Sequence, residues 1–145
     1  MVDPTITPGS APEPIRILMI EDNAGDVYLV EKALQQRQIR YELTRYVDGE
    51  QAIRALATDD GIVPDLILLD LNLPRREGFD VLRTIRGKPA LVGVPVGVLT
   101  SSAAARDRHR IALLGVERYI HKPATLEEFI DQVGHAIEDL LANHP

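Results

Sequence analysis

The segment LILLDLNLP, residues 66–74, decides the fold of this 145-residue chain. Four apolar residues run into Asp70, and Pro74 closes the segment. An unbroken apolar run of this length is typical of a strand buried on both faces, in a parallel sheet covered by helices. Such a strand carries its last residue, Asp70, to the carboxyl edge of the sheet, where open α/β folds place their chemistry. An ionised carboxylate there is costly unless a positive charge lies beside it.

The composition is that of an ordinary globular protein, with 45% apolar and 26% charged residues. The length of 145 residues predicts one domain. The net charge of −6 argues against nucleic acid as the main partner, because a phosphate backbone requires a basic surface. No Cys is present, which excludes a disulfide framework and a thiolate zinc site. No apolar run approaches the ~18 residues of a membrane span, and no secretory signal is visible. We therefore expect a soluble cytoplasmic protein.

Five predicted strands alternate with five predicted helices. Residues 1–14 are rich in proline and are predicted to be a flexible leader, and residues 143–145 a short tail. Strands are expected near residues 15–20, 41–47, 66–70, 94–99 and 118–120, and helices near 24–38, 52–56, 78–86, 103–114 and 125–141. Because the connections are short and parallel crossovers are right-handed, the expected α/β fold is a doubly wound parallel sheet of strand order 2-1-3-4-5 over residues 15–142.

Polar side chains follow four of these strands. Glu21 and Asp22 follow strand one, Asp70 ends strand three, Thr100 follows strand four and Lys122 follows strand five. Three carboxylates at one edge repel one another and exceed the charge of one lysine, whereas a hard divalent cation such as octahedral Mg²⁺ suits an all-oxygen site. The metal and Lys122 would stabilise a phosphoryl group transferred to an Asp70 oxygen. The Thr100 hydroxyl can donate a hydrogen bond to that group.

Each of these residues alone also suits a simpler structural role. Glu21 and Asp22 favour the start of the first helix, and Asp70 suits a turn before a proline. Thr100 suits a helix cap, and Lys122 suits a solvated surface position. Their joint occurrence at the ends of successive strands is what favours a functional site.

Together these motifs resemble the receiver domain of two-component response regulators over residues 15–142. The matching residues are Glu21-Asp22, Asp70 with Asn72 and Pro74, Thr100, and Tyr119 three residues before Lys122-Pro123. The resemblance implies that Asp70 accepts a phosphoryl group from a phosphohistidine of a sensor histidine kinase. It also implies that Mg²⁺ is bound by Glu21, Asp22, Asp70 and the backbone carbonyl of Asn72.

The same resemblance implies a switch. The Thr100 hydroxyl would move toward the phosphoryl group and the Tyr119 ring would follow it inward. Lys122 would pair with the phosphoryl group, and the Lys122–Pro123 peptide bond would be cis. Asn72 and Ser102 are expected to influence the lifetime of the phosphoryl group.

Narrower expectations concern the two ends of the domain. Glu21 stands where the commonest version of the family has Asp, and its longer side chain is expected to reach the metal through a water. The start Glu-Asp-Asn-x-x-Asp, residues 21–26, resembles the short regulators paired with phytochrome-type kinases.

Because no output domain follows in the sequence, the output is expected from the surface of helix four, strand five and helix five. The apolar stripe from Leu126 to Leu141 predicts a homodimer through that surface.

Three other functions suit a sheet of this kind. An aspartyl-phosphate hydrolase usually carries a second aspartate two residues after its nucleophile, where this chain has Asn72. A flavodoxin-like FMN carrier needs a small, hydroxyl-rich loop after strand one, where this chain has residues 21–23, Glu-Asp-Asn. A degenerate receiver that binds partners without phosphorylation is disfavoured because every site residue is present.

Overall fold

The computed structural model describes residues 13–58, 63–75, 77–101 and 105–142, and its strands form one five-stranded parallel sheet. The strands are β1 (Ile15–Ile20), β2 (Tyr41–Tyr46), β3 (Leu66–Leu69), β4 (Val96–Thr100) and β5 (Arg118–His121). The helices are α1 (Ala24–Gln36), α2 (Gly49–Leu56), α3 (Gly78–Arg86), α4 (Ala105–Leu114) and α5 (Leu126–Ala142), with a 3₁₀ turn at Pro89–Leu91. The sheet order is β2-β1-β3-β4-β5, which confirms the predicted fold. None of the helices described is long and apolar enough to cross a membrane.

β3 lies at the centre of the sheet, paired with β1 and β4, and all four of its residues are 0% exposed. Leu66 and Leu68 belong to a cluster that includes the apolar faces of α1 and α5. Ile67 and Leu69 belong to a second cluster, with residues of α2 and α3. Because helices cover both faces, every side chain of β3 is apolar and no alternation with polar residues is seen.

Side-chain caps start the two helices that follow β1 and β2. The Asn23 side chain accepts a hydrogen bond from the Asp26 N–H at 3.1 Å, and the Asp48 side chain accepts one from the Gln51 N–H at 2.7 Å. Each satisfies an amide at a helix start that has no partner within the helix. These caps set where α1 and α2 begin, and α1 follows the strand end that carries Glu21 and Asp22.

Gly78 brings α3 against the chain that follows β3. Its N–H donates to the Leu71 carbonyl at 3.0 Å. A Cβ at this position would lie 2.5 Å from the Asp70 carbonyl oxygen and 2.5 Å from the Leu71 Cα, distances that real Cβ atoms do not reach. Only glycine therefore allows this close approach, which fixes the backbone immediately after Asp70.

The apolar stripe of α5 packs inside the domain. Phe129, Val133, Ile137 and Leu140 are at most 4% exposed and share a cluster with residues of α1. Leu126, the first residue of the predicted stripe, is instead 66% exposed. The stripe therefore does not offer the contact surface on which the homodimer prediction was based, because the sheet and α1 already cover it.

Candidate functional site

The ends of the parallel strands bring five predicted site residues to one edge of the sheet: Glu21, Asp22, Asp70, Thr100 and Lys122. Backbone hydrogen bonds continue the strand pairing past the strands themselves. The Asp70 N–H donates to the Ile20 carbonyl at 3.0 Å, and the Lys122 N–H donates to the Thr100 carbonyl at 2.8 Å. The sheet therefore fixes the backbone from which these side chains extend.

Three carboxylates form a compact cluster at this edge. Glu21, Asp22 and Asp70 each place one oxygen within 4.8 Å of the others. Glu21 and Asp70 are only 1% and 4% exposed, whereas Asp22 is exposed. Glu21 Oε1 is buried without a hydrogen bond of good geometry. An all-oxygen donor set that is buried on one side and open to water on the other fits a Mg²⁺ ion.

Lys122 supplies the positive charge. Its Nζ lies 2.7 Å from Asp26 Oδ2, 2.9 Å from Glu21 Oε1 and 3.1 Å from Asp70 Oδ2. Burial lowers the pKa of Lys122, but the hydrogen bond to Asp26 and the negative charges of Glu21 and Asp70 outweigh it and raise that pKa. Lys122 is therefore a permanent cation in the site.

The Lys122–Pro123 peptide bond is trans, since no cis peptide bond occurs among the residues described. The predicted cis bond was therefore wrong. Trans is the form that an X–Pro amide prefers by about 0.5–1 kcal/mol in the absence of an opposing constraint. From a trans backbone the Lys122 side chain already reaches the carboxylates of Glu21 and Asp70.

Glu21 has the most strongly altered acid–base behaviour of the carboxylates. Burial, followed by the hydrogen bond and the negative charge of Asp70, raises the pKa of Glu21 from 4.5 to about 8, against a smaller lowering by Lys122. A cation in the site would favour the ionised form of Glu21.

This shift predicts how stability depends on pH. Between pH 4.5 and about 8 the folded protein keeps a proton on Glu21 that the unfolded chain has released. The free energy of unfolding therefore falls as pH rises through this window, by up to about 1.4 kcal/mol per pH unit. Glu21→Gln removes this titration, so its stability is expected to fall less than that of the wild type. Urea unfolding of both proteins in EDTA at several pH values tests this, and equal slopes would contradict it.

Asn72 forms hydrogen bonds both to Asp70, the predicted phosphoryl acceptor, and to residues at the end of β4. Its backbone N–H donates to Asp70 Oδ1 at 3.0 Å. Its side-chain amide lies 3.4 Å from both Thr100 Oγ1 and Ser101 Oγ, with the amide as donor. The two Asp70 oxygens are thus held separately, Oδ1 by Asn72 and Oδ2 by Lys122.

Tyr119 packs among apolar residues. It is half-buried and lies against the cluster of Leu71, Phe79, Val98 and Ile111. The guanidinium carbon of Arg108 lies 5.3 Å from the centre of its ring. Ser102, which was predicted to influence the phosphoryl lifetime, lies outside the described residues.

Two residues at the site were not predicted as members of it. Asp26 contacts Lys122, and Arg45 donates from Nε to the Glu21 carbonyl at 3.0 Å and from Nη2 to the Asp22 carbonyl at 2.9 Å. Asp26 belongs to the acidic start that was recognised, but only the topology brings it to Lys122. Arg45 lies on the polar edge strand β2, where no sequence signal separates it from an ordinary surface residue.

Comparison with known proteins agrees with this geometry. The protein-family model for the response regulator receiver domain matches residues 17–134 of this chain. The response regulator Rcp1 of Synechocystis sp. (strain PCC 6803) is 36% identical over 121 residues, which cover 81% of this chain and 82% of Rcp1. A crystal structure of the Mn²⁺-bound form of a response regulator named Rcp1 superposes with a TM-score of 0.80 at 35% identity, covering 88% of this chain and 95% of that one.

Two further structures are similar. The phosphorylated cyanobacterial phytochrome response regulator RcpA gives a TM-score of 0.83 at 34% identity, covering 92% of this chain and 98% of that one. The other is the receiver domain of the sensor histidine kinase PA1611 from Pseudomonas aeruginosa PAO1, which has magnesium in its active site cleft. It gives a TM-score of 0.67 at 29% identity, covering 87% of this chain and 99% of that one. The acidic cluster of this chain fits the same kind of cation. The chain therefore belongs to the family of response regulator receiver domains, which are signalling proteins of two-component systems.

Proposed function

We propose that this chain is a single-domain response regulator in which Asp70 receives a phosphoryl group from a phosphohistidine of a sensor histidine kinase. The observation that carries the proposal is the environment of the Asp70 carboxylate. It is 4% exposed, one oxygen lies 3.1 Å from Lys122 Nζ, and the other accepts the Asn72 N–H at 3.0 Å. A carboxylate held in this way presents a positioned nucleophile beside a cation.

The transfer forms one bond and breaks one. A lone pair of an Asp70 oxygen forms the O–P bond while the P–N bond of the phosphohistidine breaks, and its electron pair stays on the imidazole nitrogen. Lys122 offsets the charge of the phosphoryl oxygens, and the Thr100 hydroxyl donates a hydrogen bond to one of them. Glu21, Asp22, Asp70 and the Asn72 carbonyl would hold a Mg²⁺ ion, which would offset negative charge on the phosphoryl group.

Self-dephosphorylation completes the chemistry in this proposal. Water attacks the phosphorus, the bond to Asp70 breaks, and phosphate and the carboxylate are released. Asn72 offers an amide where an aspartyl-phosphate hydrolase needs a general acid, which supports a slow signalling reaction over multiple turnover. Asn72 and Ser102 are the residues we propose to set the lifetime of the phosphorylated form.

The proposed output is a change at the surface of α4, β5 and α5. Thr100 and Tyr119 are the proposed switch pair, one at the end of β4 and the other on β5, which pairs with it. We propose phytochrome-type kinases as upstream partners, because Rcp1 and RcpA resemble this chain over most of its length. The proposed receiver domain spans residues 15–142, between a leader (1–14) and a tail (143–145), and functions in the cytoplasm.

Phosphorylation by a small donor tests this function. With acetyl phosphate and Mg²⁺, the intact mass of the protein is expected to increase by one phosphoryl group. With EDTA in place of Mg²⁺ the increase is expected to disappear, because the carboxylate cluster alone repels the anionic donor. An adduct that forms equally well in EDTA, or no adduct in either buffer, would contradict the proposal.

A homodimer through α4, β5 and α5 is part of the proposal. The dimer is supported by exposed apolar residues of this surface, such as Leu113 on α4 and Leu126 on α5, which are 74% and 66% exposed. Sedimentation at tens of micromolar protein, with and without acetyl phosphate, is expected to detect the dimer. Only monomer under both conditions would remove the dimer from the proposal without affecting phosphorylation.

A further inference from the structure

A fourth carboxylate, Asp26, lies against Lys122 and has no part in the transfer described above. Its Oδ2 is the nearest of the three carboxylate oxygens around Lys122 Nζ, at 2.7 Å, compared with 2.9 Å for Glu21 and 3.1 Å for Asp70. A lysine ammonium carries three N–H donors. Three carboxylate oxygens therefore surround the ammonium within 3.1 Å, and a phosphoryl oxygen that binds Lys122 competes with them.

The start of α1 fixes Asp26 in position. Its N–H donates to the Asn23 side chain at 3.1 Å, and the neighbouring Val27 and Val30 are buried in the core. Lys122, in contrast, places its ammonium at the end of a flexible four-carbon chain. Asp26 is therefore the fixed partner of this ion pair, and Lys122 is the one that can move.

Burial decides which carboxylate releases Lys122 most easily. The side chains of Glu21 and Asp70 are 1% and 4% exposed, whereas that of Asp26 is 18% exposed. A buried carboxylate that loses its cation is strongly destabilised, while a partly exposed one can be hydrated. Asp26 is therefore the partner that Lys122 leaves at the lowest cost.

We propose that Asp26 is a positioning residue that competes with the phosphoryl group for Lys122. This inference rests on the proposed phosphorylation of Asp70. Before phosphorylation, Lys122 pairs with Asp26 as well as with the two buried carboxylates. After phosphorylation, Lys122 pairs with a phosphoryl oxygen and Asp26 is hydrated. The competition lowers both the rate of phosphorylation and the fraction of phosphorylated protein at steady state.

Asp26→Asn tests the competition, because it keeps the size of the side chain and removes its charge. The rate of phosphorylation by acetyl phosphate with Mg²⁺, followed by intact mass, is expected to rise about two- to fivefold, the range for a partly exposed ion pair. Asp26→Glu restores the charge and is expected to return the rate toward the wild-type value. Asp48→Asn is the matched control: Asp48 caps α2 and pairs with Arg75 at 3.8 Å, so the wild-type rate is expected.

A double-variant comparison separates this role from a general effect of charge or structure. In a Lys122→Gln background, Asp26→Asn is expected to leave the rate unchanged, because the residue through which Asp26 acts is absent. An unchanged rate in Asp26→Asn alone, or an increase that persists without Lys122 or is matched by Asp48→Asn, would overturn the inference. If Lys122→Gln is not phosphorylated at all, the phosphorylation rates of Asp26→Asn, Asp26→Glu and Asp48→Asn, each compared with that of the wild type, decide whether the inference holds. Failure of the proposed function is distinguishable, because the wild type itself would then not be phosphorylated.

Discussion

Asp70→Asn is expected to abolish phosphorylation by acetyl phosphate in the presence of Mg²⁺. The amide has no carboxylate lone pair of comparable nucleophilicity, and it removes the oxygen that lies 3.1 Å from Lys122 Nζ. The fold is expected to survive, because Asn has nearly the shape of Asp and the change removes one charge from a cluster of mutually repelling carboxylates. Intact mass after incubation with the donor measures the first effect, and thermal unfolding measures the second.

Asp65→Asn provides the matched control for this variant. Asp65 lies at the opposite end of the same strand, and its carboxylate accepts the Arg16 N–H at 2.8 Å, a role that an amide oxygen can fill. Its phosphorylation is expected to equal that of the wild type. An Asp70→Asn protein that is folded and still gains a phosphoryl group would show that another residue is the acceptor.

Leu68→Ala is expected to have the largest effect on stability. Leu68 is 0% exposed at the centre of the sheet, in the cluster shared with α1 and α5. Truncation removes buried methyl groups and leaves a cavity that the strands on either side of β3 cannot easily close. The expected loss in the free energy of unfolding is about 2–5 kcal/mol, a large part of the stability of an ordinary domain.

Urea unfolding of Leu68→Ala and Leu113→Ala separates burial from the chemical change itself. Leu113 lies on α4 and is 74% exposed. At a protein concentration at which only monomer is present, the same truncation there is expected to change the free energy of unfolding by no more than about 0.5 kcal/mol. Similar losses in the two variants would contradict the arrangement in which β3 is covered on both faces. The comparison therefore tests the central strand independently of any chemistry at Asp70.

The centre of the fold could be predicted from the sequence because its physical signal is local. The apolar run ending in Asp70 needs covering on both faces, and only a parallel sheet with helices on each side provides this. Residues 41–46 are more polar than the other strands, as expected for the edge position that β2 takes in the sheet. The carboxylate cluster followed from topology, since parallel strands carry their ends to one edge.

Other features depend on contacts that no local pattern encodes. Arg45 reaches the carbonyls of Glu21 and Asp22 from a neighbouring strand, and Asp26 reaches Lys122 from the far end of the sequence. The α5 stripe was assigned in part to a dimer because amphipathic periodicity does not state which surface covers a helix. The cis bond at Lys122–Pro123 was carried over from the resemblance, and no residue of this chain predicted it.

Locating the phosphoryl group within the chain tests the central claim most directly. Borohydride reduces an aspartyl phosphate to homoserine, and peptide mass mapping then identifies the reduced position. After incubation with acetyl phosphate and Mg²⁺, homoserine is expected at residue 70 and to be absent when EDTA replaces Mg²⁺. Homoserine at Asp22, Asp26 or any other aspartate, with Asp70 unchanged, would contradict the account.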